Sequence, residues 1–318
     1  MKFLEKFKYV LYVLFILGFT FLLPRIIPGS PLALSDTDSY VLNLSLPEET
    51  FNSFKEYYAP DKPLGEQFLL YLKNILTLDL GYSFYYKMPV SKLIVGRLPW
   101  TILLSMVSLL LSCFIAIPLG IKHALSKKMK KYSVMSIVTM QAIPAFIVAI
   151  IIQLIFAYRL KLFPSSGAYT VGVQFFTGAF YIDVLKHMVL PLITLLIGEI
   201  PAMYILSYNS AKRIKDENYV KMASYLNIGK AQITKSFIFL NMIPELIGKL
   251  NIQFIYVITG SLFVETVFSY PGMGQLLNVA ASNRDYILLQ GILLLVAFYG
   301  LVVNFVFEII LKKFTPRY

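Results

Sequence analysis

Cysteine, histidine and charge are scarce in this sequence. Of 318 residues one is cysteine, two are histidine and 14% are charged. A single thiol, Cys113, excludes a disulfide within the chain, and without a Cys-x-x-Cys or Cys/His cluster no metal site is expected. His123 and His187 stand far apart, each beside a membrane edge, and read as isolated interfacial histidines. The phosphate-loop pattern G-x-x-x-x-G-K-[ST] is absent, which excludes ATP hydrolysis by that route. H-E-x-x-H and G-x-S-x-G are missing, against an intramembrane protease or lipase, and TVGYG is missing, against a potassium channel. No cofactor and no catalytic residue are implied.

What the chain has instead is apolar length. It is 58% hydrophobic with a mean hydropathy of +0.70, the composition of a polytopic membrane protein. Six spans are expected, near 9–28, 99–121, 133–158, 187–208, 237–264 and 287–311, each long enough to cross a hydrocarbon core of about 30 Å. The first follows Lys2, Lys6 and Lys8 and lacks a small-x-small cleavage site, so it reads as an uncleaved span.

The net charge of +12 is a matter of topology rather than of nucleic-acid binding. Lys2, Lys6 and Lys8 precede the first span. Lys122, Lys127, Lys128, Lys130 and Lys131 lie between the second and third. Lys212, Arg213, Lys215, Lys221, Lys230 and Lys235 lie between the fourth and fifth, and Lys312, Lys313 and Arg317 follow the last. These are 17 of the 29 basic residues, opposed there only by Glu5, Asp216 and Glu217. Both termini are therefore expected in the cytoplasm of a cell whose plasma membrane holds the chain.

The expected organisation is all-α and integral to the membrane. Residues 1–28 form the cytoplasmic N-terminus and first helix, 29–97 a small extracytoplasmic helical cap, and 98–318 a transmembrane core with a cytoplasmic loop at 209–236. The cap opens on PGSP, a stiff turn. Ser45 and Glu48 have capping-box spacing with Pro47 near the helix start; Phe51, Phe54 and Tyr58 form a stripe. A second amphipathic helix is predicted at about 64–76, ending before LDLGYS.

The loop reads NSAKRIKDENYVKMASYLNIGKAQITK. Tyr219, Met222, Ala223 and Leu226 fall at i, i+3, i+4 and i+7, one face of a short helix that Asn218 can cap and that Asn227 and Gly229 should end. A helix held between two spans has little core of its own. Two readings stand: a peg for another protein's groove, or a helix lying on membrane lipid with its lysines among anionic headgroups.

Ionisable groups inside spans are costly and face partners or cavities. Glu245 and Lys249 are four apart in the favourable order and are expected to neutralise each other. Glu199, in GEIP beside Pro201, has no local partner; it is either a pathway or gating residue or a polar contact to a neighbouring subunit. Gln141, Gln153, Asn251 and Gln253 can line a polar passage or join helices. Pro144, Pro191 and Pro244 should bend their helices.

Read together, PGSP, DKPLGEQFLLYLKN, LDLGYSF, RLPWTILLS with IPLGI, FPSSG, YVKMASYLNIG, FLNMIPELI, VETVFSYPGMGQLL, RDY and the terminal PR run over nearly the whole chain. In this order they resemble the membrane permease subunits of binding-protein-dependent ABC importers, in the branch that carries oligopeptides, dipeptides or nickel. The resemblance implies a loop helix that inserts into an ATPase subunit, with Tyr219, Val220, Met222, Ala223, Leu226, Asn227, Ile228 and Gly229 as the coupling residues. Tyr225 stands where that family has a small residue, and Asn227 where it has glycine. It also implies partners: a second homologous permease, two ATPase subunits and an extracytoplasmic solute-binding protein. Peptide import by alternating access is the leading reading. Import of nickel or a metal chelate, a channel without an ATPase and an integral membrane enzyme are the alternatives.

Overall fold

A computed structural model describes residues 2–26, 56–126, 131–140 and 142–314. The PGSP turn, Ser45, Pro47, Glu48, Phe51, Phe54, Lys127, Lys128, Lys130, Gln141 and Arg317 lie outside the described residues. The chain forms two compact units, one from 1–99 with 271–302 and the other from 100–270 with 303–318.

In the first unit, α1 (Lys2–Ile26) meets α2 (Leu64–Leu76). Phe21 contacts Phe68 edge-on at 5.1 Å between ring centres and Tyr71 at 5.6 Å. The polar atoms of this contact are paired, as buried ones must be. Thr20 shares a 2.7 Å hydrogen bond with the Tyr71 hydroxyl, and the Arg25 guanidinium donates to Gln67 Oε1 from Nε and Nη2. After α2, Asp79 Oδ1 accepts from the Gly81 amide, and the chain enters a two-residue antiparallel pair, β1 (Tyr82–Ser83) with β2 (Met88–Pro89). This hairpin is the departure from an all-helical expectation. Gly81 has φ +83°, and a Cβ there would lie 2.7 Å from Ile287, so glycine is required.

The LDLGYSF and RDY segments meet around one buried carboxylate. Asp285 accepts from Ser83 Oγ at 2.5 Å, from the Tyr85 amide at 3.1 Å and from the Leu288 amide at 3.2 Å. The last bond caps α11 (Tyr286–Phe314). Beside it the Tyr58 hydroxyl donates to Gln290 at 2.6 Å; burial pushes that phenol well above its ordinary pKa, so it stays a neutral donor. Helix α10 (Met273–Ser282) completes the unit, which also holds the start of α3 (Val90–Leu125) and of α11.

The second unit holds the rest of α3, then α4 (Lys131–Met140), α5 (Ala145–Ile152), α6 (Gly178–Lys215), α7 (Asn218–Tyr225), α8 (Leu240–Thr259) and α9 (Leu262–Val267). Among the described residues four helices are long and apolar enough to cross a membrane: Phe7–Ile26, Val90–Leu125, Gly178–Lys215 and Tyr286–Phe314. The span expected at 133–158 is interrupted between Met140 and Ala145. Pro144 sits there as the residue before α5, with ψ 134°; it has no N–H to donate to the preceding turn, and its ring disfavours a helical conformation at Ile143. The segment then runs on as a π-helical turn, Gln153–Arg159. The stretch expected at 237–264 likewise divides at Gly260 and Ser261, between α8 and α9.

Two apolar cores organise this unit. One gathers Leu104, Ala149, Leu190, Leu195, Val264 and Phe268; the other gathers Ala116, Met203, Tyr204, Ala211, Ile238 and Met242. Close approach in the second depends on Gly120 of α3, whose Cβ would lie 2.7 Å from Ser207 Cβ and 2.9 Å from the Tyr208 amide on α6. Large apolar side chains such as Phe114 remain exposed, as befits a surface solvated by lipid rather than water.

Candidate functional site

The loop sequence at 209–236 turns sharply at the end of α6. That helix stops at Asp216, Glu217 takes an extended conformation, and α7 begins at Asn218. Glu217 therefore occupies the cap position expected for Asn218, and its side chain makes no capping bond. At the other end Asn227 adopts φ +56°. The Ile228 amide donates to Ala223 O at 3.1 Å and the Asn227 amide to Ser224 O at 3.2 Å, the paired bonds of a Schellman stop. Asparagine thus supplies the left-handed residue, whereas Gly229 has φ −59° and starts the following helical turn.

The structure divides the face expected for α7. Ala223 is 3% exposed and packs with Val220, Ile214, Ile233 and the partly buried Ile228 in the α3–α6 core. Tyr219, Met222 and Leu226 point the other way, 43%, 62% and 66% exposed, with Tyr225 beside them at 84%. The helix therefore has a core after all, built from its small and branched residues, and its large apolar residues are left outside. A one-sequence periodicity misses this because Tyr219 and Val220 can each begin an apolar face; which one faces inward is decided by α6 and the 233–239 segment.

The base of the loop is braced. Arg213 and Ser210 of α6 both donate to the Glu245 carboxylate on α8. This corrects the expected Glu245–Lys249 pairing: a partner 32 positions away in sequence outcompetes the one a turn away, because it brings a guanidinium and a hydroxyl together. Nearby, His123 and Tyr204 share a 2.9 Å hydrogen bond between α3 and α6. His187 meets the Asp183 carbonyl at 2.9 Å, so both histidines are engaged within the chain.

Farther along α6 lies Glu199, half-buried, with Ser108 Oγ donating to it at 2.8 Å. It lines a cavity of about 170 Å³ with Ser105, Thr194, Gln253, Tyr256 and Ser261. The other span amides differ in use. Gln153 donates to the carbonyls of Ser165 and Val267, and Asn251 to Asn304. Sequence reading missed Glu265, which is fully buried and accepts from Thr101 Oγ1 at 2.8 Å and Ser261 Oγ at 2.7 Å. The signal available was an acid inside the apolar VETVF run. Among the described residues no group of three or more His, Cys, Asp or Glu is placed to hold a metal ion.

Residues 108–318 match the family described as binding-protein-dependent transport system inner membrane component. Over nearly its whole length the chain is also similar to permeases. It is 29% identical to the oligopeptide transport system permease protein OppB of Haemophilus influenzae, over 96% of this chain and 94% of that one. It is 27% identical to a putative peptide permease protein of Brucella ovis, over 93% and 92%. Among solved structures, the inward-facing MetNI methionine ABC transporter matches with a TM-score of 0.56 at 16% identity, over 70% of this chain and 97% of that one, a likeness of fold.

Proposed function

Because the chain belongs to the binding-protein-dependent transport system inner membrane component family, and is thus an ABC importer permease, we propose that it forms a translocation path for peptides with a second permease. Two separate ATPase chains supply the energy, and a solute-binding protein delivers peptide from outside. The peptide assignment follows the relatives, an oligopeptide permease and a putative peptide permease, which match over almost their full length. In this reading the chain crosses the membrane six times with both termini cytoplasmic: the four long helices cross, as do the interrupted 131–159 segment and α8.

The observation that carries the coupling role is the apolar stripe on α7. Met222, Tyr225 and Leu226 are large and exposed while Val220 and Ala223 anchor the helix from behind. Isolated exposed apolar residues need no explanation, but a stripe on a short, braced helix is a docking face. Lipid can cover such a stripe, but the Schellman stop and the Arg213–Glu245 brace hold α7 as a fixed shape, which suits a protein groove. The ATPase groove receives the stripe, and its movement is passed into α6, which continues from the loop to Glu199. Glu199 in turn belongs to the path.

The test is a gentle-detergent pull-down on the chain with mass spectrometry of what accompanies it. Met222→Asp and Leu226→Asp place charge on the docking stripe without entering the core; each should lose the ATPase subunits while membrane insertion and the second permease are retained. A buried hot-spot residue contributes about 2 kcal/mol or more, so loss should be at least tenfold. Wild-type levels of ATPase in both variants would sink the docking role.

A further inference from the structure

The Glu199 cavity holds more acceptor capacity than the chain fills. Glu199 sits well inside α6, yet its partners are neutral hydroxyls, those of Ser108 and Ser112, and no lysine or arginine pairs with it among the described residues. Across the same cavity Gln253 contributes an Oε1 that is buried without a hydrogen-bond partner. A carboxylate inside a membrane span is expensive unless a cation or a proton meets it. A buried amide oxygen without a donor adds its own desolvation cost. Both deficits are met by one kind of group, a primary ammonium, which carries positive charge and three donors. Apolar Leu109, Ala145 and Leu195 form the remaining wall.

The cavity, about 170 Å³, is comparable with an apolar cavity of about 150 Å³ that takes up one benzene, and so suits one end of a solute.

We infer that this cavity is a subsite for the terminal ammonium of a transported peptide, with Glu199 as the charge partner, Gln253 as a second acceptor and the apolar wall against the first side chain. The inference rests on the peptide-permease reading and adds what part of the peptide the permease itself recognises. Linear peptides of any sequence share an α-ammonium, so a site for it restrains the solute without selecting its sequence.

The test uses the assembled complex in lipid nanodiscs without binding protein, and measures retention of radiolabelled tri-alanine. Unlabelled tri-alanine should displace the label, and N-acetyl-tri-alanine, which lacks the ammonium, should not. Glu199→Gln should weaken retention at least tenfold, Glu199→Asp less, and Gln253→Leu by a smaller factor that confirms the site if the Glu199 variants assemble poorly. Competition by the N-acetyl peptide, unchanged binding in assembled Glu199→Gln and Gln253→Leu complexes, or a wild-type complex that retains no tri-alanine would each overturn the subsite. Those outcomes leave the importer reading standing wherever ATPase subunits copurify and hydrolyse ATP. That reading fails separately, if the wild-type chain brings no ATPase with it.

Discussion

Asn227 shows how one residue sets the shape of a loop. The Schellman stop requires φ above zero, and the family pattern that the chain resembles has glycine there. Asparagine tolerates this geometry better than other side chains, so helix α7 still ends on its second turn. Asn227→Gly should therefore leave the complex intact or slightly more stable. Asn227→Val forces a branched side chain into the left-handed region at a cost of about 1–2 kcal/mol. Limited proteolysis at Asn227–Lys230 gives the readout, with faster cleavage expected for the valine variant only; equal cleavage of both would mean the turn is set elsewhere. Leu78, Ser269 and Arg284 end their helices in the same left-handed way, each with the paired carbonyl bonds. Glu199, Glu245 and Glu265 show how differently three acids in apolar surroundings are handled: a hydroxyl beside a cavity, an interhelical guanidinium, and two buried hydroxyls.

Among elements, the long helix α6 does most of the positioning. It carries Glu199, packs on Gly120 of α3, braces α8 through Arg213 and Glu245, and ends at the turn before α7. Glu199 and Asp216 are separated by roughly 26 Å of one helix at 1.5 Å per residue, with Pro201 inside it, and in the proposed coupling a displacement of the loop reaches the cavity along this helix. The α3–α6 contact is correspondingly sensitive. Gly120→Leu should destabilise the assembled complex by about 1–3 kcal/mol through overpacking, and Gly120→Ala by less. Thermal unfolding in detergent measures this, and identical transitions for glycine and leucine would show that the two helices do not need their close approach. What was legible in the sequence at this scale followed from local chemistry. Periodicity and the LDLGYS stretch that follows mark α2 at 64–76, and Asn227 marks the stop of α7. What was not legible depended on distant neighbours. Nothing near Glu245 announces Arg213, nothing within α7 says that Val220 rather than Tyr219 faces the core, and Pro144 announces a bend without saying that the helix before it stops at Met140.

For the whole molecule, composition and charge placement already describe a membrane protein, and the family match with full-length permease relatives fixes its class as an ABC importer permease. The path, the coupling and the peptide cargo are proposals that meet in α6 and α7. Alternating access needs an ATP-dependent difference between two arrangements of the spans, and the only route into this chain that the proposal allows is the α7 stripe. The most direct measurement is ATP-driven accumulation of radiolabelled tri-alanine in proteoliposomes holding the copurified complex and its binding protein, wild type beside Leu226→Asp. Uptake by the wild type that requires ATP and falls at least tenfold in the variant is the predicted result. Uptake that is indifferent to ATP, or that survives Leu226→Asp unchanged, would contradict it.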